Sequence, residues 1–262
     1  MDPAARRVPK LTKQSFHARL WSKLLRFDRS LGLIRPGDRI LAAVSGGPDS
    51  VCLAHFLFLL AQRRRFEIRL IHFHHGLRGK AADRDARFVD RLAARWSQKA
   101  IQRRLPVAAF ARSSGRSMED AGRQLRYDGL LREARRLRCN KAATAHHLDD
   151  QAETVLLNLL RGTRARGLAG IPPRRPLGGE VEVIRPLLAL RREEILQYLR
   201  HHRLKFRIDA SNRSVDFTRN WIRLRVLPLL ERKNPRIREH LAAIADDLRE
   251  LLDKNSSSRR TP

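Results

Sequence analysis

The stretch LAAVSGGPDS, residues 41–50, changes from an apolar run into a corner of glycine, proline and polar residues, and VCLAHFLFLL at 51–60 is apolar again. The first run is typical of a buried strand and the second of a buried helix. In doubly wound sheets such a corner holds phosphates, because backbone N–H groups and a helix N-terminus converge there. The stretch therefore predicts either an anion-binding loop or a strand-to-helix turn in which Pro48 begins the helix and Asp49 complements its dipole.

Outward from this corner, short apolar runs alternate with amphipathic patterns. The apolar runs predict strands at residues 39–44, 66–73, 101–110, 141–145 and 181–184. The helical patterns cover residues 16–31, 50–62, 83–99 and 117–138, followed by helices within 191–251. Because each strand is apolar throughout, we predict an α/β fold with a doubly wound, Rossmann-type parallel sheet of about five strands and a C-terminal helical extension. The proline- and glycine-rich passage that leads from residue 170 to the last of these strands is expected to be an irregular loop.

These patterns predict four parts in the chain. Residues 1–14 are expected to be a disordered basic start and 15–190 the α/β domain, with 191–253 as its helical tail and 254–262 as a disordered end. The start lacks the apolar core of a secretory signal, and no run approaches the roughly 18 apolar residues of a membrane span. Neither a leader nor a membrane span is expected.

The composition favours an intracellular protein that binds polyanions. Two cysteines, Cys52 and Cys139, form no CxxC pair, which fits a reducing cytoplasm rather than a disulfide scaffold. The formal net charge is +29, from 56 basic and 27 acidic residues. Such a field attracts nucleic acid through phosphate contacts and counterion release. A preference for arginine codons would explain why the basic residues are mostly arginine rather than lysine, but not the two-to-one excess of basic over acidic residues.

The segment TAHHLDDQAET, residues 144–154, follows the predicted fourth strand. Asp149, Asp150 and Glu153 fall in the first turns of the next helix, where the helix dipole favours carboxylates whatever the function. Carboxylates at the carboxyl edge of a sheet, opposite a phosphate loop, also suit Mg²⁺, which takes one or two of them besides substrate phosphates. The residues alone leave both interpretations open.

Two further segments carry polar residues at predicted element ends. IHFHHGLRG, residues 71–79, has histidines but no cysteine or carboxylate to complete a metal site, so we expect packing histidines and an Arg78 that can reach an anion. SMEDAGRQLRYDGL, residues 117–130, begins with Ser-x-x-Asp, close to a capping box. Its helical spacing brings Arg123, Arg126 and Tyr127 to one side, either as a solvated basic face or as a substrate contact.

Taken together, these motifs resemble those of the tRNA(Ile)-lysidine synthases, which are N-type ATP pyrophosphatases of the PP-loop superfamily with an adenine nucleotide alpha hydrolase-like fold. SGGPDS is similar to their SGGxDS loop, and HHGLRG to their N-H-G-L-R-G, with His74 in place of asparagine. AHHLDDQAETVLLNLLRG, residues 145–162, matches A-H-H-x-D-D-Q-x-E-T-x-L-x-x-L-x-R-G, and TRNWIR, residues 218–223, matches T-R-N-x-I-R. The resemblance covers about residues 16–240 and is that of a short form without the extra C-terminal domains.

The resemblance implies ATP-dependent ligation of free L-lysine to C2 of the wobble cytidine of tRNA(Ile) with anticodon CAU. An adenylated tRNA is the implied intermediate, and lysidine, AMP and pyrophosphate are the products. The implied cofactors are ATP and Mg²⁺, and the oligomeric state stays open, a homodimer included. Two alternatives are a PP-loop tRNA thiolation enzyme, for which two unpaired cysteines are a poor fit, and a non-catalytic RNA-binding module.

The resemblance also implies roles for individual residues. ATP is expected to bind the loop Ser45, Gly46, Gly47, Pro48, Asp49 and Ser50. The expected catalytic residues are Asp49, Asp149, Asp150 and His146, and the three aspartates are also the expected metal ligands. The expected tRNA-binding residues are Arg123, Arg126, Arg219 and Arg223. Trp221 is expected either to stack on a base or to be buried.

Overall fold

The computed structural model describes residues 13–74, 80–207 and 218–258. The strands are β1 (Arg39–Ala43), β2 (Glu67–His74), β3 (Ala100–Arg104), β4 (Lys141–Ala143), β5 (Arg174–Gly178) and β6 (Val181–Ile184). The helices are α1 (Lys13–Leu31), α2 (Pro48–Ala61), α3 (Lys80–Ala94), α4 (Val107–Ser114), α5 (Met118–Arg136), α6 (Leu148–Leu160), α7 (Ala165–Leu168), α8 (Arg192–His201), α9 (Thr218–Trp221), α10 (Leu227–Lys233) and α11 (Ile237–Ser258). A π-helical turn, Ile222–Val226, joins α9 to α10. The predicted anion contact of Arg78 lies outside the described residues.

The six strands form one sheet in the order β3-β2-β1-β4-β6-β5. All neighbours are parallel except β5 and β6. The two faces of β1 supply separate cores: Ile40 packs with Leu24 and Phe56 on one face, and Leu41 with Leu130 on the other. Fully burying such side chains stabilises the fold by about 1.5–3 kcal/mol each. The predicted doubly wound α/β sheet is confirmed.

The sheet has one strand more than expected. Residues 174–178, expected in an irregular loop, form β5, which pairs antiparallel with β6. Pro176 is tolerated because β5 lies at the edge of the sheet, where one side of a strand needs no donors. Gly178 and Gly179 have positive φ values of 152° and 57° and turn the chain into β6. This glycine pair is a hairpin signal that the loop interpretation overlooked.

Several element boundaries also differ from the prediction. The predicted strand 101–110 ends at Arg104, because Pro106 lacks an N–H and caps the start of α4. The helix predicted to reach residue 99 ends at Ala94. Helix α11 runs to Ser258, so residues 254–258, expected to be disordered, are helical. Residues 13 and 14 are likewise helical.

The C-terminal helices are fixed to the α/β domain by a third apolar cluster. Its members are Ala152, Val155, Ile222, Leu227, Leu241 and Ala245. Because Ala152 and Val155 belong to α6, this packing brings arginines of the helical tail to the carboxyl edge of the sheet. Within the described residues, each helix lacks either the length or the apolarity needed to cross a membrane.

Candidate active site

The chain reverses its winding direction between β1 and β4. From β1 it proceeds through α2 to β2 on one side, while β4 pairs on the other side of β1. The loop 44–47 after β1 and the loop 144–147 after β4 therefore flank a topological switch point, where open α/β sheets bind ligands. This is the site that the SGGPDS and HHLDD motifs predicted.

The hydroxyl of Ser50 organises the first loop. Its Oγ accepts hydrogen bonds from the backbone N–H groups of Ser45, at 3.1 Å, and Gly46, at 3.2 Å, and donates to the carbonyl oxygen of Gly47, at 2.9 Å. Gly46 has φ +91°, and an added Cβ would lie 3.2 Å from the ring of Phe88. The loop is thus a tight corner of backbone N–H groups that requires glycine at position 46.

Helix α2 starts directly after this corner. Gly47 is its extended N-cap residue, and Pro48 occupies the first helical turn, where the missing N–H costs nothing. Both sequence interpretations of the stretch are therefore compatible with its geometry, since the same turn that starts the helix also concentrates N–H groups and positive dipole.

Asp49 projects from the first turn of α2 towards the second loop. Its Oδ2 accepts a hydrogen bond of 2.9 Å from Arg192 Nη1 of α8. Its Oδ1 is buried and has no hydrogen-bond partner among the described residues, and Nε2 of His147 lies 3.8 Å from it. An unsatisfied buried carboxylate oxygen is a suitable ligand for a hard cation such as Mg²⁺.

His147 lies among three carboxylates and is 3% exposed. Its ring nitrogens are 3.8 Å from Asp49, 3.5 Å from Asp149 and 3.5 Å from Asp150. Burial lowers the pKa of His147, but the attraction of these carboxylates outweighs burial and raises the pKa to about 9. At neutral pH the site therefore holds a buried imidazolium.

His146, the histidine to which the sequence analysis gave a catalytic role, has a different environment. Its Nδ1 lies 3.0 Å from the hydroxyl oxygen of Thr144. Burial, with a smaller effect of the nearby Arg185 and Arg123, lowers the pKa of His146 to about 3 against the opposing effect of Asp150. His146 is therefore neutral at neutral pH and can take part in hydrogen bonding, whereas the charged histidine of the site is His147.

The two adjacent aspartates differ in the length of their contacts with arginine side chains. Asp149 accepts the backbone N–H of Arg192 and the side chain of Arg238, both at 2.8 Å, so each of its oxygens has a protein donor. Burial raises the pKa of Asp149, but His147 and Arg238 lower it to about 2. Asp150 accepts the backbone N–H of His147 at 3.0 Å and a longer contact from Arg219. Asp49 and Asp150 are thus better placed than Asp149 to hold a metal.

Glu153 binds the two arginines predicted to contact tRNA. Its carboxylate is 1% exposed and accepts hydrogen bonds from Arg219 at 3.0 Å and from Arg223 at 2.5 and 2.8 Å. Both guanidinium groups remain about one-third exposed. Arg219 and Arg223 are therefore held at the mouth of the site by α6, with donors left for a phosphate. Trp221, between them in sequence, is 43% exposed.

A second basic cluster surrounds Tyr127 on α5. The guanidinium groups of Arg123 and Arg175 lie 5.3 and 4.7 Å from the centre of its ring, and its hydroxyl accepts a hydrogen bond of 3.4 Å from Arg185. Arg185 is 1% exposed, whereas Arg123 and Arg126 are exposed. Of the predicted common surface of Arg123, Arg126 and Tyr127, the structure shows the contact between Arg123 and Tyr127.

Three residues of the site escaped the sequence analysis. His147 was quoted within its motif without a role, and Arg192 and Arg238 were not considered at all. For His147, the sequence signal is its position directly after His146 in the motif. Arg192 and Arg238 are 43 and 89 residues from their partner Asp149, and no local pattern links them.

The loop at the switch point and the carboxylate helix opposite it define a phosphate-binding protein of the doubly wound α/β class. A model of the PP-loop domain family matches residues 17–230, and the chain belongs to this family.

Comparison with curated proteins shows which members of the family this chain is similar to. The chain is 48% identical over 220 residues to the tRNA(Ile)-lysidine synthase of Symbiobacterium thermophilum, covering 84% of this chain and 45% of that protein. It is 40% identical over 248 residues to that of Dehalococcoides mccartyi, covering 92% and 53%. For Geobacter sulfurreducens the identity is 42% over 224 residues, covering 86% and 47%. The chain thus spans about half the length of the curated relatives it matches.

Among solved structures, the U34-tRNA thiolase NcsA from Methanococcus maripaludis is similar in fold. The TM-score is 0.76 at 19% sequence identity, and the match covers 91% of this chain and 81% of that chain. At this identity the likeness concerns the fold alone.

Proposed function

We propose that this chain carries the ligase activity of a tRNA(Ile)-lysidine synthase in the cytoplasm. ATP adenylates the C2 oxygen of the wobble cytidine of tRNA(Ile) with anticodon CAU, and pyrophosphate leaves. The side-chain amine of free L-lysine then attacks C2, loses a proton and displaces AMP, which gives lysidine. Support comes from the similarity to curated lysidine synthases over more than four-fifths of this chain.

The observation that carries the proposal is the convergence of two loops at one switch point. The phosphate corner of residues 45–50 and the carboxylate turn of residues 149–153 face each other there, joined through His147 and Asp49. Adenylation needs groups that bind a triphosphate and groups that hold cations, and this edge of the sheet supplies both.

In this proposal the loop residues Ser45, Gly46, Gly47, Pro48, Asp49 and Ser50 bind ATP. The backbone N–H groups that now donate to Ser50 Oγ would turn to phosphate oxygens, and the N-terminus of α2 adds positive charge. The imidazolium of His147 and the guanidinium of Arg192 lie close enough to stabilise negative charge on the leaving pyrophosphate. His146 stays neutral and orients the reacting groups through hydrogen bonds.

The donor set at the site also fits Mg²⁺. Asp49 would hold the ion through its unsatisfied Oδ1 and Asp150 would assist, whereas Asp149 keeps its structural contacts to Arg238 and to the backbone of Arg192. Bound Mg²⁺ neutralises phosphate charge and lowers the cost of pyrophosphate departure. Asp150 is also our candidate for holding the lysine amine, because its contacts with the side chains of Arg219 and Arg223, at 3.5 and 3.7 Å, are longer than the 2.8 Å contact of Asp149 with Arg238.

We place tRNA contacts on the exposed arginines. Arg219 and Arg223 lie at the mouth of the site and Arg123 and Arg126 on α5, and all four can bind phosphates. The net charge of +29 favours such contacts at long range. Trp221, being exposed, is available to stack on a base.

A tRNA thiolation enzyme is the alternative that the fold alone permits. The chain has two cysteines, Cys52 and Cys139, and both are free and buried, in separate core clusters. Burial raises the pKa of both thiols, so neither is a ready nucleophile. These observations favour ligation over sulfur transfer through a cysteine of this chain.

The test is an incorporation assay. The protein is incubated with ATP, Mg²⁺, radiolabelled lysine and tRNA(Ile) transcripts that carry either CAU or another anticodon. We expect label on the CAU transcript alone, with one AMP released for each lysine incorporated, and no label with Asp49→Asn. Release of AMP without lysine incorporation would contradict the proposal and indicate another acceptor. Absence of both products would favour the non-catalytic RNA-binding module.

A further inference from the structure

Three histidines that no motif connects meet between α1 and the C-terminal end of α8. These are His17, His201 and His202, called the histidine cluster below. One ring nitrogen from each lies within 4.8 Å of those of the other two. The cluster is distant from the nucleotide site, because His201 ends the helix that Arg192 begins, about 14 Å away at a rise of about 1.5 Å per residue.

The rings form a compact group. His17 and His201 stack with 4.4 Å between ring centroids and 10° between planes, and His202 meets both edge-on, at 4.8 and 4.9 Å. Behind them, His55 Nδ1 lies 2.8 Å from the hydroxyl of Tyr198, so these two groups satisfy each other. The cluster therefore has a buried, hydrogen-bonded back wall and, at the exposed His201, an opening to solvent.

Two nitrogens of the cluster are buried without a hydrogen bond. Nδ1 of His17 and Nε2 of His202 have no partner among the described residues. Burying an unpaired polar atom destabilises a fold, so two such atoms on residues of one cluster require an explanation. A cation bound by the lone pairs of these nitrogens would offset that destabilisation. Because the coordinating rings are neutral, they would not repel one another as protonated rings do.

The ligand chemistry matches a transition-metal ion. Around tetrahedral Zn²⁺, with Zn–N distances of about 2.0–2.1 Å, ligand nitrogens are about 3.3 Å apart. The nitrogen–nitrogen separations in the cluster, which are within 4.8 Å, would therefore shorten by about 1.5 Å at most, and the stacked rings of His17 and His201 would rotate so that their lone pairs converge. Neutral imidazole nitrogens are among the ligands that Zn²⁺ takes in proteins. Three imidazoles leave one position for water.

We propose that the histidine cluster binds one divalent transition-metal ion of the zinc class, which fixes α1 to α8. The site is separate from the carboxylate site suggested for Mg²⁺, since it offers nitrogen ligands where Mg²⁺ requires oxygen. Its role is structural: a bound ion stabilises the native state, because the unfolded chain does not hold residues 17 and 201 together.

The experiment uses the whole protein, freed of metal with a chelator, and Co²⁺ as a spectroscopic probe. We expect one Co²⁺ per chain with the intense visible absorption of a tetrahedral nitrogen site, displaced by Zn²⁺ and not by Mg²⁺. His201→Gln, a substitution at an exposed side chain, should weaken binding at least tenfold. His240→Gln, at an exposed histidine of α11, is the matched control and should leave it unchanged.

A second measurement separates binding from folding. The melting temperature of the metal-free protein should rise when Zn²⁺ is added, and this rise should disappear in His201→Gln while the metal-free variant melts like the metal-free parent. The proposal is overturned if Co²⁺ gives only the weak absorption of an octahedral oxygen site. Equal affinity in His201→Gln and the parent would overturn it as well.

Discussion

Arg192 Nη1 donates a hydrogen bond of 2.9 Å to Asp49 Oδ2, which links the start of α8 to the first turn of α2. The backbone N–H of the same arginine donates to Asp149 at 2.8 Å. One residue therefore connects the phosphate corner with the carboxylate turn, although 143 residues separate it from Asp49. The guanidinium is 41% exposed and can also face an incoming phosphate.

Replacing this guanidinium should weaken ATP binding. In Arg192→Gln the backbone contact to Asp149 persists, but the positive charge beside Asp49 is lost. We expect the affinity for ATP to fall about tenfold, because a charge-assisted hydrogen bond to a phosphate contributes about 1.5 kcal/mol. Equilibrium binding of a labelled ATP analogue measures this. Arg200→Gln, an exposed arginine near the other end of α8, is the control. Equal losses in both variants would show that only the overall charge matters.

Removing the charge of Glu153 should reduce stability and loosen two arginines. Its buried carboxylate satisfies Arg219 and Arg223, and Glu153→Gln keeps the shape but leaves the two guanidinium groups with their longer contacts to Asp150, at 3.5 and 3.7 Å. Because these groups are about one-third exposed, water compensates in part, and we expect a loss of about 1–3 kcal/mol in the free energy of unfolding. Urea denaturation measures it. Glu250→Gln, in an exposed pair with Lys254, should leave stability unchanged.

A methyl group at Gly46 should damage the phosphate corner more than strain alone explains. Gly46 and Gly37 have similar φ values, +91° and +84°, so alanine at either position costs roughly 1 kcal/mol of backbone strain. Only at Gly46 does the new Cβ contact Phe88, while nothing lies within 4 Å at Gly37. We expect Gly46→Ala to lose both stability and ATP binding, and Gly37→Ala to lose stability alone. Unchanged ATP affinity in Gly46→Ala would argue against the loop as the ATP site.

The two tyrosines of the chain should ionise in separate steps. Burial raises the pKa of Tyr198 well above 10. Burial also acts to raise the pKa of Tyr127, but Arg185, Arg123 and Arg175 outweigh it and lower this pKa. In the native protein, the absorbance of tyrosinate should therefore rise once below about pH 10 and again well above it. In denaturant, both tyrosines should titrate together at about pH 10.

The ionisation of Tyr127 and the ionisation of Tyr198 change the stability of the folded protein in opposite directions. Tyr127 holds its phenolate better in the folded state, so its contribution to stability increases as pH rises through its folded pKa. Tyr198 binds its proton more tightly when folded, so its contribution is lost above the unfolded pKa of about 10. Tyr127→Phe should remove the early step only. A single native transition near 10 would contradict the arginine cluster around Tyr127.

The central part of the fold could be predicted because its signals are local. Strands β1, β2, β4 and β6 are mostly buried, and the sequence shows each of them as a short segment with several apolar residues. Strand β5 has partly exposed residues and a proline, so composition hides it, and only its pairing with β6 makes it a strand. Pro106 ends the third strand early because it lacks an N–H, although the apolar residues after it continue the pattern of a strand.

The site shows the same division between local and distant information. The motifs contain Asp49, Asp150 and His147, yet the choice between His146 and His147 depends on the backbone path after β4, which no residue type reveals. Arg238 contacts Asp149 from α11, and His17 meets His201 from a helix 184 residues earlier. Such contacts are set by how the tail and the first helix pack, so tertiary structure alone discloses them.

Salt should govern the affinity for tRNA, because the excess of basic residues acts through phosphate contacts. Arg123 and Arg126 are exposed on α5. If either contacts a phosphate, its replacement by glutamine should make the plot of log affinity against log salt concentration less steep by about 1. Arg132 is the matched control: it is also exposed on α5, but lies nine residues after Arg123, half a turn around a helix of about 3.6 residues per turn. We expect Arg132→Gln to keep the parent slope. A flat salt dependence in the parent would remove electrostatics as the main source of affinity, and equal slopes in all three variants would place the tRNA away from this face of α5.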